Sequence, residues 1–183
     1  MAQEVPPSYL SPYSGLVDAS WPLIGRPEEV AVLRRLVTEN GARGVVLSGP
    51  AGVGKTRLAH EALHLADAAG RVTAWVVANR ALAEIPFGAF AHLLPDRHGI
   101  TSSPLELLRR THGELRRRSP DRPLVLGVDD AHLLDDASAG LAHQLVASGT
   151  ALVVARCATV TPRRRRFGRS GRAGWWSGWS WGR

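Results

Sequence analysis

Residues Gly49-Pro50-Ala51-Gly52-Val53-Gly54-Lys55-Thr56 fit G-x-x-x-x-G-K-[ST] position by position, and no other stretch restricts the fold so tightly. A short apolar run, Gly44 to Ser48, precedes it, and Thr56 to Ala66 has the periodicity of a helix. Strand, glycine-rich loop and helix therefore fall in the order that makes a phosphate cradle. The glycines let the backbone bend so that its N–H groups converge on an anion. The helix that starts here points its positive dipole end at the same place. Lys55 can reach the outer phosphates, and the Thr56 hydroxyl can hold Mg²⁺. A glycine-rich turn that met the pattern by accident would leave this order unexplained.

Composition bears on the site through one residue type. Lys55 is the only lysine among 23 basic side chains. An otherwise arginine-only chain keeps a compact ammonium on a flexible stem where a phosphate loop needs one. The 183 residues suffice for one domain with its own core. The single cysteine, Cys157, excludes an internal disulfide and points to a reducing, cytoplasmic setting. No apolar run approaches membrane-spanning length, and Met1–Ser20 lacks the charged start and apolar centre of a secretory signal. The net charge of +7 comes from the tail: residues 156–183 carry eight arginines and no acid, leaving −1 on residues 1–155. The basic balance therefore does not describe the domain.

Residues 1–20 are rich in Pro, Ser and Gly and read as a disordered leader, with order starting near Trp21. Pro27-Glu28-Glu29 opens a helix to about Glu39, with Val30, Leu33, Leu36 and Val37 on its apolar face and Asn40-Gly41 as its stop. The loop helix ends at Ala69-Gly70, and Arg71–Ala78 reads as a second strand. Residues 79–86 are irregular, Phe87–Leu94 is a short helix and residues 95–102 are a loop. Ser103-Pro104-Leu105-Glu106 is a capping box that opens a helix to about Arg118, with Leu105, Leu108 and Leu115 facing inward. Arg116-Arg117-Arg118 is a solvated helix end. Pro123–Asp130 is an apolar run ending in two acids. Asp136–Ala147 is helical, and Thr150–Ala155 is a fourth strand. Strands apolar on both faces, alternating with helices, predict an α/β fold with a parallel sheet covered on both sides.

A phosphate loop with a metal needs a carboxylate at a strand end. Asp129 closes an apolar run 73 positions after Thr56 and resembles the Walker B acid that anchors Mg²⁺. Asp130 follows directly; it resembles the extra acid of one branch of P-loop enzymes, which implies that it polarises the attacking water, the alternative being a solvated strand-end pair. Guanine-reading P-loop proteins use N-K-x-D, which a chain whose only lysine is Lys55 cannot contain, so ATP is the expected nucleotide. His60 and His64 sit four apart, as zinc ligands can, but no third ligand has matching spacing, and packing is the simpler role. His132, just after the acids, is within reach of a phosphate or partner, but a helix-start residue is the simpler role.

Four segments together resemble one group: Leu23-Ile24-Gly25-Arg26, the phosphate loop, Ile85-Pro86-Phe87-Gly88-Ala89-Phe90-Ala91-His92-Leu93-Leu94, and Val128-Asp129-Asp130-Ala131-His132. The group is the N-terminal ATPase domain of large ATP-binding LuxR-type transcription regulators, among the STAND and AAA-like P-loop NTPases. The resemblance covers about residues 21–155. It implies a three-layer P-loop NTPase with strand order 5-1-4-3-2, counted from the phosphate-loop strand, with the fifth strand missing. It implies ATP and Mg²⁺ as cofactors, nucleotide contacts from Gly49, Pro50, Ala51, Gly52, Val53, Gly54, Lys55, Thr56 and Arg57, and Gly25 and Arg26 near the adenine. It also implies metal contacts from Thr56 and Asp129, and catalytic roles for Lys55 and Asp130. Slow hydrolysis would switch a self-associating parent regulator. The helical sensor region and DNA-binding module of the group have no counterpart in this sequence.

After Ala155 the pattern breaks. Residues 156–183 hold four of the six tryptophans and no helix or strand periodicity, and read as a disordered tail. The group would continue with a polar sensor such as Ala-Thr-Val-Arg. Back-translated with GC-rich codons and shifted by one base, the segment from Ala155 reads Ala-Thr-Val-Arg-Asp-Gly-Asp. Trp175–Trp181 likewise becomes Val-Glu-Arg-Val-Glu-Leu. A one-base deletion near codon 156 would explain both, and would leave a truncated product with weak hydrolysis; the neighbouring DNA sequence decides it. The alternative is a functional tail, since arginines with interleaved aromatics can bind single-stranded nucleic acid. Salt-insensitive or absent oligonucleotide binding excludes that.

Overall fold

The computed structural model describes residues 9–10, 25–39, 41–94 and 103–158. In chain order the elements are β1 (Tyr9–Leu10), α1 (Pro27–Thr38), β2 (Gly44–Gly49), α2 (Lys55–Ala68) and β3 (Thr73–Val77). There follow a 3-10 helix (Gly88–Leu93), α3 (Pro104–Arg118), β4 (Leu124–Asp129), a 3-10 turn (Ala131–Leu133), α4 (Asp136–Ala147) and β5 (Ala151–Ala158). Every strand pairing is parallel, and the order is β1-β3-β4-β5-β2. Counted from the phosphate-loop strand β2, the four long strands run 1-4-3-2, the expected order. Among the described residues β2 pairs only with β5 and lies at the sheet edge.

The continuous apolar strands have a direct cause. In β4, Leu124, Leu126 and Val128 join a cluster with α3, α4 and the Gly88–Leu93 helix. Their neighbour Val125 faces the opposite cluster, built on α1 and α2. A strand buried on both faces has no position left for a polar side chain. Trp75 of β3 fills the α2 side: its ring stacks on His60 of α2 at 4.1 Å between centroids. Gly127, paired with Trp75 across the sheet, makes room for that ring; a Cβ there would lie 2.1 Å from it.

Three expectations change. β5 runs to Ala158 rather than Ala155, pairing Arg156, Cys157 and Ala158 with Leu47, Ser48 and Gly49. The backbone of β2 offers partners there, and satisfying them outweighs the break in side-chain pattern. Leu105 is not inward but 57% exposed, whereas Leu107, Thr111 and Leu115 are buried. Two residues along a helix turn the side chain by about 200°, so Leu105 and Leu107 cannot share a face. Within the stretch read as a leader, Tyr9–Leu10 pairs with Thr73 and Ala74 as a two-residue edge strand. The Ser103 cap is as expected, its hydroxyl accepting the Glu106 N–H at 3.3 Å. Trp21, Leu23, Ile24, Asn40, the loop at 95–102 and the tail beyond 158 lie outside the described residues. No described helix is long and apolar enough to cross a membrane.

Candidate functional site

The C-terminal ends of β2, β4 and β5 bring the site together. β2 delivers the chain to the phosphate loop, and α2 begins at Lys55. Gly52 and Gly54 have φ of +79° and +85°, a region that costs a side-chain-bearing residue. A Cβ at either would meet nothing within 4 Å, so backbone conformation alone calls for glycine. Gly54 caps α2 and its carbonyl accepts the Leu58 N–H at 3.0 Å. The amides of Lys55 and Thr56 belong to the first turn, where a helix leaves its N–H groups free for an anion. The Lys55 residue is 6% exposed, and its Nζ donates to the carbonyls of Gly49 and Pro50 at 2.8 and 2.7 Å. The ammonium is thus drawn across the mouth of the loop.

Pro50, Ala51 and Gly52 form the exposed tip, with Val53 half-buried. Arg26 is tied to this loop directly: its guanidinium donates to the Val53 carbonyl at 2.7 Å and contacts Glu29 at 3.4 Å. Gly25, just before it, has φ of +80°. Arg57 pairs with Glu61 one turn along α2, at 3.7 Å.

The acids stand at the end of β4. Asp129 is its last residue, and Asp130 turns the chain sharply at φ +48°, a conformation that aspartate tolerates better than most residues. The Asp130 N–H donates to Asp129 Oδ1 at 2.9 Å. β5 lies between β4 and β2, so at about 4.8 Å per strand the ends of β4 and β2 are about 10 Å apart. From that middle strand Arg156 reaches both acids. Its Nε donates to Asp129 Oδ1, and a terminal nitrogen lies 2.7 Å from Asp130 Oδ2. His132 Nδ1 is 3.9 Å from Asp130 Oδ1.

The donor set fits Mg²⁺. The Thr56 hydroxyl and the Asp129 carboxylate carry hard oxygens of the kind Mg²⁺ prefers, one or two of which it takes from protein before completing its shell with water and phosphate. The guanidinium already resting on the acids shows that positive charge is accommodated there. A separate cavity of about 420 Å³ opens beside α4, lined by Val46, Val128, Val153, Ala155, His143 and Cys157 among others. Its mainly apolar wall does not suit a triphosphate. Burial there pushes the Cys157 thiol up, which keeps it protonated and unreactive.

Two supports escaped the sequence reading. Phe87, of the Ile85–Leu94 segment, has φ of +61°, and its N–H donates to Asp135 Oδ1 at 3.1 Å. The same oxygen caps α4 through Ser138 N–H at 2.9 Å. Burial alone would raise the Asp135 pKa, but the Ser138 side chain, together with the amides of Ser138, Phe87 and Ala137, outweighs it and holds the carboxyl below its usual range. An aspartate immediately before the Asp136 helix start was the available signal. The other is Arg156, which a pattern centred on acids and glycines does not select.

A parallel α/β sheet with a glycine loop entering a helix, and an acid pair two strands away, defines a P-loop NTPase-type domain. The model of the AAA ATPase domain family matches residues 22–157, and the chain belongs to that family. No curated protein matches the chain.

Proposed function

We propose that this chain is the ATP-binding domain of a LuxR-type transcription regulator, with nucleotide occupancy acting as its switch. One observation carries the nucleotide-binding part of the reading: a buried lysine in a glycine loop and an acid pair lie at the same ends of one parallel sheet; the regulator affiliation and the switch rest on the four-segment resemblance alone. The loop amides and Lys55 bind the phosphates; Arg26 and Gly25 flank the loop on the side assigned to the base. Thr56 and Asp129 would hold Mg²⁺, which supplies charge neutralisation for the phosphates when bound. Asp130 orients the attacking water. Self-association of the parent regulator and a cytoplasmic setting belong to the same reading.

A binding-only domain is the second reading. The engagement of both acids by Arg156 favours it, because an acid held by a guanidinium is a poor partner for water. Turnover is therefore expected to be slow or absent. Lys55→Ala tests the central claim: affinity for a fluorescent ATP analogue should fall at least about 100-fold; because the change also removes the contacts to the Gly49 and Pro50 carbonyls, it is read on protein that circular dichroism shows to be folded. Equal affinity in both proteins would remove the nucleotide reading.

A further inference from the structure

We propose that Arg156 is a built-in counter-cation of the metal site, so that a divalent ion reaches Asp129 and Asp130 only by displacing its guanidinium. The inference rests on the nucleotide-site reading for its purpose, though not for its geometry. Arg156 bridges two different carboxylates, Nε to Asp129 Oδ1 and a terminal nitrogen to Asp130 Oδ2 at 2.7 Å. Its side chain is 18% exposed, against 14% for Asp129 and 31% for Asp130. The contact is therefore largely removed from water, unlike a surface ion pair, which water and salt weaken.

Competition follows from the acceptor count. Asp129 Oδ1 already receives the Asp130 N–H at 2.9 Å as well as Arg156. A magnesium-sized ion needs a carboxylate oxygen at about 2.1 Å; on Oδ1 it would meet the guanidinium directly, and on the second oxygen the like charge of Arg156 a few ångströms away would still oppose it. Geometry also keeps Arg156 close by. Its backbone lies in β5, paired with Leu47 of β2, between the strand that carries the loop and the strand that carries the acids. The side chain can withdraw from the acids but cannot leave the site.

The probe is Mn²⁺, followed by the paramagnetic resonance of the free ion during titration of the full nucleotide-free chain. Arg156→Thr should bind Mn²⁺ at least about tenfold more tightly than the wild type, because the ion no longer has to displace the two guanidinium contacts to Asp129 and Asp130. Arg156→Lys should fall between, because one ammonium cannot span both acids with a planar fork. Adding Asp129→Asn should abolish the gain. Circular dichroism selects the folded variants, and Arg156→Gln replaces any that fails to fold. Equal Mn²⁺ affinity across the folded set overturns the proposal, as does a gain that survives Asp129→Asn. Binding of the fluorescent ATP analogue with Mg²⁺ in excess is scored separately. If neither wild type nor Lys55→Ala binds it, the nucleotide reading falls while the Mn²⁺ titration still decides the role of Arg156.

Discussion

Each end of the sheet holds an arginine withdrawn from solvent, and the two do opposite things. Arg71, at the N-terminal end just before β3, is 6% exposed. Its guanidinium donates to carbonyls alone: Val37 at the end of α1, at 2.6 Å, and Pro123 ahead of β4 through two nitrogens. Arg156, at the C-terminal end, meets two carboxylates. A neutral carbonyl collar draws in no competing cation, so Arg71 can act only as a clamp that joins helix and strands. A carboxylate pair attracts any cation of the right size, so Arg156 holds a position that can change hands. The acceptor, rather than the arginine, decides whether a buried guanidinium is scaffold or exchangeable.

The largest effect expected from this contrast is at Arg71. Arg71→Ala strips three carbonyl contacts from a charged donor and leaves buried acceptors without partners, a loss of about 3 kcal/mol in urea unfolding. Arg71→Lys should recover only part of it, because an ammonium cannot fork between Val37 and Pro123. Metal affinity of the folded fraction should stay at the wild-type value. If Arg71→Ala also alters the Mn²⁺ titration, the two ends are coupled and the division into clamp and exchangeable cation fails.

Between the ends, the tryptophan layer ties α2 to the sheet. Gly127→Ala places a Cβ against the Trp75 ring and 3.1 Å from Leu63 Cδ1, at a cost of about 2 kcal/mol for overpacking. Trp75→Leu makes room, so the double variant should cost less than the two single changes added together. Strict additivity in thermal or urea unfolding would mean that Gly127 serves some need other than space for that ring.

How much of this the residues disclosed depends on how local the cause is. The phosphate loop was legible because its spacing, its glycines and its flanking elements lie within some twenty residues. Strand order followed from the resemblance, and the helix limits from caps such as Ser103 and Pro27, where one residue decides. Leu105 was misplaced because Leu105, Leu107 and Leu108 are all apolar, and only packing on β4 and α4 selects among the faces of α3. Arg156 was set aside as tail, since side-chain pattern changes there while backbone pairing with β2 continues. The contact of Phe87 with Asp135 joins residues 48 positions apart, and no window on the sequence contains both.

Acidity is the mildest way to separate the centre of the sheet from its ends. His60 is held below its ordinary pKa by burial and by the nearby Arg57 charge. His92 is lowered by burial, which outweighs its hydrogen bond to the Trp75 carbonyl at 3.0 Å. The folded state therefore favours both rings neutral, while the unfolded chain takes up protons near pH 6.5. Between those pKa values the unfolded state binds more protons, so this contribution is complete above about pH 6.5 and declines as pH falls toward the folded pKa. Guanidinium groups stay charged throughout, so the clamp at Arg71 does not respond in this window. His60→Phe keeps an aromatic ring against Trp75 and removes one titrating group; its loss of thermal midpoint between pH 7 and pH 5 should be smaller than in the wild type. Parallel profiles for the two proteins would show that the ring at position 60 takes no part in the acid response.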